Sequence, residues 1–128
     1  MTLYNEYKKQ GFDFFVGVPC SCLKLFIKEL LNDSNSIYIP APREDIAMGI
    51  AVGAWMNGKK PAIYLQSSGL GHLVNPITSL LKPYGIEIHL LISLRCDPEE
   101  HREMMRITRD LLALLEYNNF RIIEEVLE

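Results

Sequence analysis

The stretch FDFFVGVPCSCLKLFIKELL, residues 12–31, decides the fold. Its first seven residues, 12–18, are rich in aromatic and β-branched side chains, which suit a pleated strand, and Gly17, Val18 and Pro19 close it. From Ser21 the period changes, and Leu23, Phe26, Ile27, Leu30 and Leu31 fall on one helical face. A strand running straight into a helix is half of a βαβ unit, whose second strand lies parallel to the first. The rest of the chain repeats this rhythm. The patterning predicts strands at 37–39, 61–66, 86–94 and 120–123, and a helix at 44–57 ended by Gly58. It also predicts a helix at 72–81 ended by Lys82 and Pro83, and a longest helix at 99–117. The expected class is α/β, a parallel sheet of about five to six strands with helices on both faces. No repeat or flexible linker divides it, so residues 1–128 form one expected domain.

The chain has 128 residues, 48% hydrophobic and 23% charged, enough apolar side chain for one core. A formal charge of -3 without a basic run argues against nucleic-acid or membrane-surface binding. No apolar run reaches the roughly 20 residues of a membrane helix, and the mixed charges of MTLYNEYKKQ do not make a secretory signal. Cys20, Cys22 and Cys96 form neither an even disulfide set nor a metal-ligand spacing. A reducing cytoplasm, and no metal held by this chain, are the expectations.

Parallel sheets bind ligands beyond the carboxyl ends of their strands. Four loops therefore matter. In GVPCSC (17–22), Ser21 either caps its helix or, with the free N–H groups there, receives an anion such as a carboxylate. Cys20 and Cys22 could have lowered pKa values in this place, but no partner His or resolving Cys accompanies them, so they read as packing residues. In PAPREDIAMGIAVGA (40–54), Glu44 sits in the first turn of an otherwise apolar helix. An acid there stabilises the helix dipole by about 0.3–1 kcal/mol, which is one sufficient reason for it. Yet Gly49 and Gly53 share a face that another backbone can approach closely, and an acid heading a buried, interfacial helix suits chemistry better. In QSSGLGHLVNPITS (66–79), the glycines bare the backbone, and Gln66, Ser67, Ser68, His72 and Asn75 offer polar groups. This is neither a P-loop nor a dinucleotide fingerprint. After the longest strand, Arg95 either grips an anionic substrate or pairs with Asp97 or Glu99. His89, within an apolar strand, reads as structural, and Glu124, Glu125 and Glu128 read as a solvated face.

Taken in order, FVGVPCS (15–21), REDIAMGIAVGA (43–54) and SGLGHLVN (68–75) resemble the pyrimidine domain of thiamine-diphosphate enzymes over nearly the whole chain. Leu70 stands where many members have Pro. GLG (69–71) with NPITSL (75–80) points more narrowly to phosphonopyruvate and sulfopyruvate decarboxylases. The resemblance implies that Glu44 exchanges a proton with the cofactor's pyrimidine N1′. It further implies that Glu44, Ser68, Gly69, Leu70, Gly71 and Asn75 bind the cofactor, and that Gln66 faces the reacting carbon. Ser21, Arg95 and His72 would meet an oxoacid substrate. In such enzymes a Gly-Asp-Gly motif followed by Asn holds the diphosphate and Mg²⁺, and this chain contains no Gly-Asp-Gly. It therefore resembles the separate alpha subunit of a split enzyme. It would need a beta subunit carrying that motif and would self-associate through its own domain. Members commonly have Gln-Asn-Ser-Gly-Leu-Gly-Asn where this chain has QSSGLGH, and a longer loop follows their Arg. MMRITRDLL (104–112) favours the phosphonopyruvate branch, with sulfopyruvate as the alternative substrate. A non-catalytic interaction module is the reading from another class.

Overall fold

A computed structural model of the chain describes residues 1–95 and 98–124; Cys96, Asp97, Glu125 and Glu128 of the sequence reading lie outside the described residues. Five strands form one parallel sheet: β1 (Phe14–Gly17), β2 (Ile37–Pro40), β3 (Pro61–Gln66), β4 (His89–Ser93) and β5 (Phe120–Ile123). Their spatial order is β2-β1-β3-β4-β5. The inner strands β1, β3 and β4 are buried on both sides and so read as unbroken apolar runs, whereas β2 and β5 form the partly exposed edges.

Helices α1 (Leu3–Lys9) and α2 (Lys24–Leu31) cover one face, packing Tyr4, Tyr7, Phe26 and Leu30 on Phe15, Tyr64 and Leu91. The other face carries α3 (Glu44–Met56), the short α4 (Val74–Pro76) and α5 (Lys82–Tyr84), and α6 (Arg102–Leu114). There Ala47, Met48, Ala51, Leu73, Ile77 and Leu112 pack on Val16, Ile63, Leu65 and Ile92. In this strand order the chain leaves β1 and β3 in opposite directions. The crevice between their carboxyl ends is thus the switch point at which such sheets bind ligands. Gly17 ends β1 because the Tyr64 ring of β3 lies across it; a Cβ there would come within 2.8 Å of Tyr64 Cδ2 and run into the Tyr64 carbonyl.

Three differences from the sequence reading have physical reasons. Helix α1 escaped notice because it is one short amphipathic piece whose only buried side chains are Tyr4 and Tyr7. Thr2 caps it, accepting from the Asn5 N–H, and Gly11 follows its end with φ +90°. The first and fourth strands are shorter than their apolar runs; at the start of β1, Asp13 still bonds through its backbone to Lys60 and Ile37, and its carboxylate accepts from the Lys60 N–H, bracing the sheet's lower rim. Residues 67–84 are not a loop followed by one helix ending at Lys82 and Pro83. A 3₁₀ segment, Ser67–Leu73, leads into α4, a π turn at Ile77–Leu81 and α5. The register shift of the π turn accommodates Pro83, and the segment ends at Gly85, whose φ of +65° makes a left-handed cap. No helix among the described residues is long and apolar enough to cross a membrane.

His89 is structural, and its bonding fixes its proton. The Tyr7 hydroxyl donates to Nε2 at 2.6 Å, so Nδ1 carries the hydrogen it gives to Asn119 Oδ1 at 2.9 Å. Burial among Tyr7 and Phe12 penalises the charged ring and holds its pKa below the ordinary value of 6.5. The unfolded chain therefore binds a proton that the folded one resists. Stability should be fully present above pH 6.5 and decline as the pH falls through 6.5 toward the lower folded value. Urea midpoints measured at pH 5 and pH 8 should differ in that sense, and the difference should shrink in His89→Asn. A pH dependence unchanged by that substitution would remove His89 as its source.

Candidate active site

Glu44 opens α3 beside the crevice, and it is only 6% exposed. A carboxylate taken out of water costs several kcal/mol unless something compensates, by the usual order of magnitude. The preceding residue, Arg43, is hydrogen-bonded bidentately to Asp45 at 2.7 and 2.9 Å and reaches Glu44 only through a weaker coulombic attraction. Compensation comes from the helix N-terminus and from His72, whose Nδ1 lies 2.8 Å from Glu44 Oε1. An ionised Glu44 accepts only, and with it the His72 hydrogen would sit on Nδ1. The opposite wall is Gly69. A Cβ there would approach Glu44 Cγ to 2.8 Å and come closer still to Cδ and Oε2. The carboxyl is thus pressed between a helix head and bare glycine backbone, with one oxygen engaged by an imidazole.

The expected site residues fall into three groups. Glu44, Gly69 and His72 are in direct contact, as described. Around them Ser68 is half-buried and Gly71 exposed with open space beside its Cα, while the side chain of Leu70 belongs to the core and leaves only its backbone for a ligand. Asn75 lies exposed on α4, its Oδ1 accepting from the Ser79 hydroxyl at 2.9 Å. The second group ties the ends of β3 and β4 together. Arg95 donates from Nη1 to Gln66 Oε1 at 2.7 Å, and its backbone N–H donates to Ser67 Oγ at 3.0 Å. Of the acids expected to compete for Arg95, Asp97 lies outside the described residues.

Ser21 forms the third group alone. Cys20, not Ser21, occupies the N-cap position of the 3₁₀ turn at Ser21–Leu23. Ser21 is exposed at a groove of about 550 Å³ shared with Tyr4, Lys24, Lys28 and Ile123, on the α1–α2 face. Cys20 packs against the cluster on the α1–α2 face. Burial pushes its thiol up, and the Arg95 guanidinium opposes this only weakly, so Cys20 is a packing residue and not an activated nucleophile.

Sequence reasoning missed the partnership of Glu44 with His72, since nothing in a sequence shows contact between residues 28 apart. Nor did it foresee where two serines lie. Ser67 is fully buried as the acceptor that seats Arg95, and Ser93, in register with Gln66, is buried with its hydroxyl unpartnered among the described residues. Among the described residues no three His, Cys, Asp or Glu side chains gather as a metal site.

Fold and site together define a parallel α/β domain with a buried carboxyl facing a glycine turn near the sheet's switch point, where such sheets bind ligands. No protein-family model matches the chain. It is 45% identical to the sulfopyruvate decarboxylase subunit alpha of Methanocaldococcus jannaschii, over 78% of this chain and 59% of that one. It is 39% identical to the subunit of the same name from Methanothermobacter thermautotrophicus, over 90% of this chain and 72% of that one. A phosphonopyruvate decarboxylase of Streptomyces viridochromogenes is 38% identical over 81% of this chain but only 28% of its own length. The chain belongs to the family of sulfopyruvate decarboxylase alpha subunits. It spans about 59% of the length of the Methanocaldococcus relative. These identities favour the sulfopyruvate reading over the phosphonopyruvate branch to which residues 104–112 had pointed.

Proposed function

We propose that this chain is the pyrimidine-binding alpha subunit of a heteromeric, thiamine-diphosphate-dependent carboxy-lyase that decarboxylates sulfopyruvate to the corresponding aldehyde. The observation that carries the reading is Glu44, an acid buried at the head of an apolar helix with bare glycine backbone against it. A flat heteroaromatic ring fits such a place, because glycine lets it approach the backbone and the carboxyl meets a ring nitrogen in a poorly hydrated setting. Glu44, Ser68, Gly69, the backbone of Leu70, Gly71 and Asn75 would hold that ring. Thiamine diphosphate, when bound, supplies the electron sink that decarboxylation requires.

The chain's own residues have distinct tasks. Glu44 holds and gives a proton at its carboxyl oxygens, and its burial keeps competing water away. Arg95 is positioned by Gln66 and Ser67, and its planar fork suits the three oxygens of a sulfonate. Gln66, at the end of β3, presents its amide near the reacting carbon, and Ser21 offers its turn to the substrate carboxylate. The beta subunit, with its Gly-Asp-Gly motif, would hold the diphosphate and Mg²⁺. The outer side of α3 supports a subunit contact, whether with that partner or with a second copy. Ile46, Trp55 and Met56 are 43%, 38% and 73% exposed there, alongside Gly49 with nothing near its Cα.

Reconstitution tests this reading. Carbon dioxide release from sulfopyruvate should require this chain, a Gly-Asp-Gly partner subunit, thiamine diphosphate and Mg²⁺ together. In the same assay, Arg95→Ala should reduce kcat/KM for sulfopyruvate by roughly 1.5–3 kcal/mol, the worth of a charge-assisted contact, while sparing any turnover of pyruvate. Decarboxylation by the rigorously purified chain alone would overturn the split-enzyme reading. Equal losses with both substrates would make Arg95 a structural residue.

A further inference from the structure

Glu44 and His72 meet across the boundary between interior and solvent: their side chains are 8% and 54% exposed, and they are joined at 2.8 Å through Oε1 and Nδ1. One nitrogen of the imidazole touches a carboxyl walled off by Gly69 and α3, while most of the ring stands in water. A carboxyl that gives and takes a proton in each turnover must exchange it with solvent, and burial narrows the direct route. The elements packed most closely on α3 offer this face mainly apolar side chains. Strand β1 presents Phe14 and Val16, β3 presents Ile63 and Leu65, and the Ser67–Leu73 turn presents His72. Arg43, at the helix entry, is occupied by Asp45.

From this geometry we infer that His72 is the proton relay between Glu44 and solvent, a positioning residue and not a substrate contact; the inference rests on the acid–base role proposed for Glu44. In the step, the Nδ1–H bond breaks as the Oε1–H bond forms, and Nε2 takes a proton from a solvent acid such as hydronium or a buffer. The imidazole is neutral before and after, having traded an Nδ1 hydrogen for an Nε2 hydrogen, and one proton has passed from solvent to Glu44. The reverse sequence returns it. The same hydrogen bond fixes which carboxyl oxygen is engaged and leaves Oε2 on the Gly69 side.

The contact can be tested in the chain alone by ¹⁵N NMR of the imidazoles, with His72→Asn assigning the signal. Above neutral pH, His72 should be protonated at Nδ1 and bare at Nε2, and Glu44→Ala should return it to the tautomer mixture of an exposed histidine. An Nε2–H ring in the wild type, unmoved by Glu44→Ala, would overturn the proposal. In the enzyme assembled with its partner subunit, His72→Asn keeps a polar group but cannot shuttle a proton. It should lower kcat by about tenfold or more with KM little changed, and added imidazole, entering from the exposed side, should restore most of the loss. An undiminished kcat, or a loss that imidazole leaves untouched, would remove the relay. Full activity in Glu44→Gln with the expected tautomer would instead sink the acid–base role of Glu44 itself, so the two failures can be told apart.

Discussion

Glu44→Gln should fold and assemble like the wild type and lose roughly 10²–10⁴-fold in turnover, the usual worth of a positioned acid–base group. Glutamine has the same length and branching, and its amide oxygen can still accept from His72 Nδ1, which now lies 2.8 Å from the carboxylate. It cannot hold or release a proton at neutral pH. Because the substitution also removes a charge that is only 6% exposed, stability should hold or rise, and a urea midpoint taken beside kcat would show this. A correctly assembled glutamine variant with wild-type turnover would reduce Glu44 to an acid that complements its helix dipole.

Gly69→Ala should be nearly as damaging, by a different route. The added methyl would meet Glu44 Cγ at 2.8 Å and crowd Cδ and Oε2 more closely. Neither side can retreat: Glu44 is fixed at the head of α3, and Gly69 lies in a turn anchored by the buried Ser67, Leu70 and Leu73. Overpacking of this kind costs roughly 1–3 kcal/mol of stability. Displacing the carboxyl by about 1 Å should cost on the order of 10²-fold in turnover. Gly71→Ala is the matched control, because nothing lies within 4 Å of its added methyl, and it should stay folded and stable. Full activity in Gly69→Ala would show that this close approach is not part of the site.

The parts legible from the sequence were those governed by local chemistry. Strand β3 was read to the residue because Lys59 and Lys60 precede it and the polar turn at Ser67 follows its apolar run. Helix α3 was read within a residue because its N-terminal acids and Gly58, with φ +83°, mark both ends. Glu44 stood out for the same reason: an acid is conspicuous before twelve residues of mostly small and apolar side chains. Failure came where distant contacts outweighed local preference. Helix α1 holds because Tyr4 reaches Asp33 at 2.6 Å and Thr2 reaches Glu29 at 2.9 Å, far along the chain. The π turn before Pro83 leaves no mark that periodicity can detect. The contacts of His72 with Glu44 and of Arg95 with Gln66 join residues 28 and 29 positions apart, which no local pattern signals.

The central claim is that the Glu44 carboxyl acts on a bound thiamine cofactor, and deuterium uptake tests it without depending on the substrate. The chain, assembled with its partner subunit and loaded with thiamine diphosphate and Mg²⁺, would be mixed with D₂O, quenched in acid, and the cofactor's C2 position read by proton NMR. The wild type should exchange that proton far faster than the free cofactor, and Glu44→Gln at equal cofactor occupancy should fall back toward the free rate. Equal, rapid exchange in both assemblies would contradict the account.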